Sequence, residues 1–262
     1  MRKFLILFLV NFCFAKGVIV LDPACVEIFY MLNAEDKIAA IAKTQSSEIW
    51  PQEKIKFLPS VGTYVKPNLE KIIEIQPDMV LTGFHSKEII DDLERFGIKY
   101  IEIKSNKLSD IYKNIQTIAN LTNKKNEGQK LIDDLKNRLN SLDLSKVQGK
   151  KAVFFYMGTN LMALGKDTLV GDIFEFMKID NVAKNLSGKT PIVTSEYLLE
   201  QDLDYILFVG NSLEDLLKQN PVLRHTKAYK NGKILNIKSS SLLRGTPRII
   251  YEIETLYKDF IK

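Results

Sequence analysis

The apolar positions of this chain fall into short strand-like runs separated by stretches of helical spacing. Runs of strand type occur at Val18 to Leu21 ("VIVL"), Lys37 to Ala42 ("KIAAIA"), Met79 to Gly83 ("MVLTG") and Tyr100 to Ile103 ("YIEI"). They return at Ala152 to Met157 ("AVFFYM"), Tyr205 to Gly210 ("YILFVG") and Ile234 to Ile237 ("ILNI"). Helical patterns separate most of them, at Cys25 to Leu32, Leu69 to Ile75, Lys87 to Phe96 and Leu213 to Lys218. Alternation of this kind predicts parallel sheets with crossover helices. The runs form two groups, and from Leu108 to Leu144 there is no strand signal. There Ile111, Ile115, Ile118 and Leu121, then Leu131, Leu135, Leu139 and Leu142, recur at helical spacing with charge on the other faces. The pattern predicts an α/β fold of two Rossmann-like lobes with parallel sheets, residues 16–121 and 148–262. A long rigid interdomain helix within 122–147 joins them, and the ligand cleft lies between the lobes. A helical connector without a Gly/Ser linker limits the lobes to small rocking movements.

One segment of the first group has a degenerate copy in the second. "NLEKIIEIQPDMVL" (Asn68 to Leu81) aligns with "TSEYLLEQDLDYIL" (Thr194 to Leu207), so that Glu70 falls on Glu196, Glu74 on Glu200, Asp78 on Asp204 and Leu81 on Leu207. The same helix and strand in each lobe suggests a pseudo-symmetric pair facing across a cleft, where small ligands bind.

Composition narrows the class. The 262 residues are 45% hydrophobic and 26% charged, ordinary for a globular protein and against disorder. The first fifteen, "MRKFLILFLVNFCFA", place Arg2 and Lys3 before a short apolar stretch that ends on a small residue. That is the pattern of a cleavable signal peptide, and the stretch is short of the roughly 20 residues that cross a bilayer. Asn11 and Phe12 do not make a lipobox around Cys13. Cleavage near Ala15, export and a soluble periplasmic protein are expected. Loss of this segment removes two of the five net positive charges, and the remainder is too mild to argue for nucleic acid. It also leaves Cys25 alone, so no intramolecular disulfide forms and Cys25 reads as a buried structural thiol.

Several chemistries are excluded by spacing. "GTNLMALGKDT" has six residues between Gly158 and Gly165, and Asp167 follows Lys166, so it is no phosphate-binding P-loop. There is no G-x-G-x-x-G after a strand, no G-x-S-x-G elbow and no cysteine pair of zinc spacing. Of the two histidines, His225 reads as a surface residue. His85 follows a strand end, where open α/β sheets place ligand loops.

With these features together, the sequence resembles the periplasmic substrate-binding proteins of ABC importers that handle iron-siderophore complexes, haem and cobalamin. The resemblance covers nearly all of the chain after the leader. It rests on "DPACVEIFYMLNAEDKIAAIA", "LPSVGTYVKPNLEKIIEIQPDMVL", "GKDTLVGDIFEFMKIDNVA", "TSEYLLEQDLDYIL" and "LLRGTPRII", in that order. It implies that Glu70 and Glu196, one per lobe, dock on arginines of a permease dimer with its ATPase. It also implies ligand contacts from the loop at Thr63, Tyr64 and Val65. Haem-binding members supply an axial tyrosine from this loop, and a phenolate is a hard anionic donor suited to ferric iron. Tyr64 stands one place later than that tyrosine, at the siderophore-contacting position, and is the candidate metal ligand.

Lobe geometry adds the loop Asp22-Pro23-Ala24, Trp50 and His85 on one side of the cleft, and Tyr156, Met157, Met162 and Arg244 on the other. Aromatic and Met side chains can sandwich a flat macrocycle, and an arginine can pair with a propionate or an anionic siderophore. Phe154 and Phe155 belong to the sheet core, and Arg248 reads as structural or functional alike. The expectation is therefore a monomeric receptor with no catalytic cofactor and no enzymatic activity, carrying haem first, then a ferric siderophore, cobalamin or a nickel-type complex. An exported two-lobed enzyme is the alternative from another class, although two histidines and one thiol make a catalytic constellation hard to assemble. A chaperone or adhesin with an empty cleft is a third.

Overall fold

The computed structural model describes residues 16–45, 47–157, 160–237 and 242–262, with the side chain of Met157 outside the described part. The expected leader, 1–15, lies outside the described residues. No helix among those described is long and apolar enough to cross a membrane.

The first lobe holds strands β1 (Val18–Val20), β2 (Ile38–Lys43), β3 (Ser60–Thr63), β4 (Met79–Thr82) and β5 (Tyr100–Glu102), in the order β3-β2-β1-β4-β5. All its pairings are parallel. Helices α1 (Pro23–Met31), α2 (Gln52–Ile55), α3 (Leu69–Ile75) and α4 (Ile90–Arg95) lie between the strands in sequence. The second lobe follows α5 (Leu108–Leu121) and α6 (Lys125–Asn140). It contains β6 (Lys151–Met157), β7 (Met162–Ala163), α7 (Leu169–Phe176), β8 (Asp180–Asn181), α8 (Ser195–Glu200), β9 (Tyr205–Phe208), α9 (Leu213–Gln219), α10 (Lys227–Lys230), β10 (Ile234–Asn236) and α11 (Ile249–Ile261). Its sheet runs β10-β9-β6-β7, with β8 also paired to β6. Among the described residues, the short β7 pairs antiparallel and the other strands of this sheet pair parallel.

Two α/β lobes with parallel sheets are thus present. Strand β3 lies where no strand run is read from the sequence, and its last residue, Thr63, belongs to the expected ligand loop. An edge strand pairs on one side only and needs no apolar run, and Val61 is its one fully buried side chain.

Alternation along the strands builds the core. In β6, Ala152 and Phe154 face one way, and Val153 and Phe155 the other. In β1, Val18 and Val20 face the first set, while Ile19 turns to the opposite side. The inward faces of both sheets, together with α1, α5, α6, α7 and α11, share one continuous apolar cluster. Helix α5 touches α1 of the first lobe and α7 of the second, and the backbone amide of Leu108 donates to Asp172 Oδ2 at 2.8 Å. Helix α6 packs on α5 and α11, so the connection between the lobes is a packed pair of helices. Because the core is shared, the lobes are expected to unfold together. Phe154→Ala, which empties a fully buried inward position, should cost about 3–5 kcal/mol in a single denaturant transition.

The repeat seen in sequence is a repeat in structure. Asn68 and Thr194 cap α3 and α8, accepting from the amides of Lys71 and Tyr197. Gln76 and Asp202, aligned in the two copies, both adopt left-handed backbone. Asp78 and Asp204 then each clamp the start of a neighbouring strand. The amide of Gly17 donates to Asp78 Oδ2 and that of Lys151 to Asp204 Oδ2, both at 2.9 Å.

Candidate functional site

In the first sheet, the strand order reverses direction between β1 and β4. The crevice beyond the carboxyl ends of strands at such a switch point is where open α/β sheets hold ligands. Asp22 follows β1 there, and Phe84 and His85 follow β4. Asp22 caps α1, its Oδ1 accepting from the amide of Ala24 at 2.8 Å. Burial pushes its carboxyl above the usual range, against the pull of the Ala24 and Cys25 amides, Arg244 and His85. Cys25 is fully buried. Burial, and next the Asp22 charge, hold its thiol well above the ordinary value, as an inert core group.

Tyr64 is carried by a tight turn. Its amide donates to the Lys43 carbonyl at 3.1 Å, Thr63 N donates to Lys66 O, and the Thr63 hydroxyl accepts from the Lys66 amide. Gly62 makes this turn possible. Its φ of +99° is left-handed, and a Cβ there would meet Lys66 O at 2.8 Å. Gly62→Ala is expected to cost about 1–3 kcal/mol and to weaken ligand binding by displacing Tyr64, read by thermal melting and titration.

The Tyr64 ring meets His85 edge-on with centroids 5.0 Å apart, and the Phe84 ring meets His85 edge-on at 5.2 Å. Phe84 is 69% exposed, a large apolar ring left at the strand end. It is a residue that sequence reasoning missed, although its place directly after β4 was the available signal. Trp50 lies beyond β2, 38% exposed, with the Arg248 guanidinium 5.6 Å from its ring centre.

On the second lobe, Tyr156 stands exposed at the end of β6. Met162 starts β7 and bridges to Ile192, itself an exposed apolar residue not singled out in sequence. The side chain of Met157 lies outside the described residues. Among the described residues, Tyr156 and Met162 make no ring or hydrogen-bond contact with the first-lobe group.

Arg244 is placed differently from expectation. Its guanidinium donates to Ser47 Oγ at 2.6 Å and to the Glu48 carbonyl, and lies 3.5 Å from Glu27 Oε1. Those partners are all in the first lobe. The segment that follows β10 therefore meets the segment that follows β2, which sets the carboxyl edges of the two sheets toward each other. Gly245 confirms the approach, since a Cβ on it would fall 2.6 Å from Ser105 Cβ, just past β5.

Glu70 and Glu196 occupy the second position of α3 and α8, exposed and without an ion pair among the described residues. His225 is exposed, as expected. It borders a hollow of about 330 Å³ with Leu199, Asp202, Lys227 and Lys230, at the amino edge of the second sheet and away from the cleft. No group of three or more His, Cys, Asp or Glu side chains that could hold a bare metal ion occurs among the described residues.

Two α/β lobes, a shared stiff core and facing strand ends edged by aromatic side chains define a two-lobed ligand-binding protein. Residues 18–240 match the family model described as periplasmic binding protein, and the chain belongs to that family. It is 27% identical over 250 residues, 94% of this chain and 90% of the relative, to the vitamin B12-binding protein of Vibrio vulnificus (strain YJ016). Solved structures with the same fold include the periplasmic vitamin B12 binding protein BtuF of Vibrio cholerae (TM-score 0.81, 20% identity, 94% of this chain and 96% of that one). The periplasmic heme binding protein HutB of Vibrio cholerae has the same fold too (TM-score 0.77, 22% identity, 93% and 98%). The protein is accordingly a substrate-binding transport protein and not an enzyme.

Proposed function

We propose that this protein is exported through cleavage of residues 1–15 and binds a metal-bearing macrocycle, in first place a corrinoid of the vitamin B12 class. It then delivers this ligand as a monomer to the permease dimer of an ABC importer with its ATPase. The observation that carries the reading is the set of aromatic side chains at the facing edges: Trp50, Tyr64 and Phe84 from one lobe, Tyr156 from the other. Such rings suit a large ligand with broad apolar faces. The expected organisation is a first lobe of 16–121, a connector within 122–147 and a second lobe of 148–262.

The vitamin B12-binding relative along 94% of the chain favours the corrinoid over the haem expected from sequence. Arg244 points the same way. Held by Glu27, Ser47 and Glu48, it is less suited to a propionate than a solvent-facing arginine would be. Haem is the second reading, and it rests on the contact of Tyr64 with His85, a phenol and an imidazole side by side as potential iron ligands.

Titration of the purified protein with cyanocobalamin and, separately, ferric haem separates the two. Binding of cyanocobalamin alone, or far more tightly, is the expected result. A tyrosinate-type haem spectrum lost in Tyr64→Ala, without corrinoid binding, would establish the second reading, and binding of neither would refute both.

A further inference from the structure

The first helix of the first lobe sends one carboxylate into the seam between the lobes, and two arginines of the second lobe close on it. All of α1 from Pro23 to Tyr30 is buried, and Glu27 is its one charged side chain, with no solvent exposure. Arg248 grips it in a fork, donating from Nε to Oε2 at 2.8 Å and from Nη2 to Oε1 at 3.2 Å. Arg244 Nη1 lies 3.5 Å from Oε1 and also donates to the Glu48 carbonyl, and its Nη2 donates to Ser47 Oγ, both in the segment after β2. Both arginines belong to the stretch between β10 and α11. Helix α11 is fastened to the second sheet, where Tyr205 of β9 donates its hydroxyl to the Phe260 carbonyl and stacks on the Phe260 ring.

The charges are thus divided between the lobes. A buried carboxylate is tolerable only while it is paired, and two guanidinium groups this close repel unless an anion stands between them. Each lobe holds the part that the other requires, so a small separation of the lobes strands Glu27 in the apolar core and sets Arg244 against Arg248. Arg248 also lies on the Trp50 ring, at the edge where ligand is expected.

We propose that Glu27 is a positioning residue that pins the two lobes at one mutual angle and, through Arg248, fixes the placement of Trp50 at the cleft. The proposal concerns the seam and does not depend on which ligand is carried. Its test uses the unliganded full chain, so it fails or succeeds separately from the ligand reading.

Hydrogen exchange and small-angle scattering are compared for the wild type, Glu27→Gln, Arg248→Gln and the double variant. Glu27→Gln keeps the side-chain shape and removes the charge. It should raise exchange about tenfold at the seam, residues 47–50, 104–108 and 244–250, and enlarge the radius of gyration. Arg248→Gln, at a more exposed position, should shift both in the same direction by less, and remains informative if Glu27→Gln does not fold. The double variant should fall short of the sum of the singles. Ile72→Ala, in the outer core of the first lobe, serves as the control and should lower the melting temperature without loosening the seam. Unchanged seam exchange and scattering in the folded single variants would overturn the proposal, as would the same loosening in Ile72→Ala.

Discussion

Reversing both lobe-borne glutamates, Glu70→Lys with Glu196→Lys, is expected to abolish uptake of the ligand by cells that carry the importer. The affinity of the purified protein for that ligand should stay within about twofold of wild type, since rim charges act on docking and not on the cleft. Each residue is exposed, unpaired among the described residues and set one place inside a helix whose capping is done by Asn68 or Thr194. Folding therefore loses the small favourable interaction of a carboxylate with a helix start and gains the unfavourable one of an ammonium there, each about 0.3–1 kcal/mol at each site. If docking uses both carboxylates at once, single reversals should impair uptake less than the double one. The measurement pairs labelled-ligand uptake with affinity of the isolated variant. A parallel fall in affinity would show that these side chains serve the cleft and would remove the docking assignment.

Loss of the aromatic edge should have the largest effect on binding. Trp50→Ala combined with Tyr64→Ala is expected to weaken ligand affinity by about 30- to 1000-fold, the range that truncation of buried aromatic anchors produces at interfaces. Stability should fall by much less than for a core truncation, because Trp50 is 38% exposed and Tyr64 only borders the outer cluster of the first lobe. Isothermal titration of each single variant and of the pair reports the loss, with thermal melting as the folding control. If the pair binds as tightly as wild type, the ligand does not rest on this edge, and the second-lobe residues Tyr156, Met162 and Ile192 become the ones to truncate.

Much of this was legible because it is encoded locally. The copy of Asn68 to Leu81 at Thr194 to Leu207 works through capping side chains, a left-handed turn at Gln76 and Asp202, and the Asp78 and Asp204 clamps. Each involves residues close in sequence or a strand start that the apolar pattern already marks. The central strands were visible for the same reason, since burial on both faces makes a continuous apolar run. Strand β3 was not, because an edge position asks little of its side chains. Phe84 was passed over beside His85, although both follow β4 directly.

Arg244 shows the limit most clearly. In sequence it is an arginine in a plausible cleft loop, suited to an anionic ligand. In the structure its partners, Ser47, Glu48 and Glu27, are about two hundred residues away along the chain. Glu27 gave no sign of its role, since one glutamate in an apolar helix ordinarily points to solvent. The two α/β lobes, the helices between them, the repeated element and the strand-end loops could all be read along the chain, because periodicity, capping and turn chemistry act over a few residues. That one core runs through both lobes, and that Glu27 is buried between two arginines, emerged from the packed fold. The contacts among strand-end side chains emerged there too. Those outcomes depend on which distant surfaces are brought together, and the cost of burying a charge can be judged only once its partners are in place.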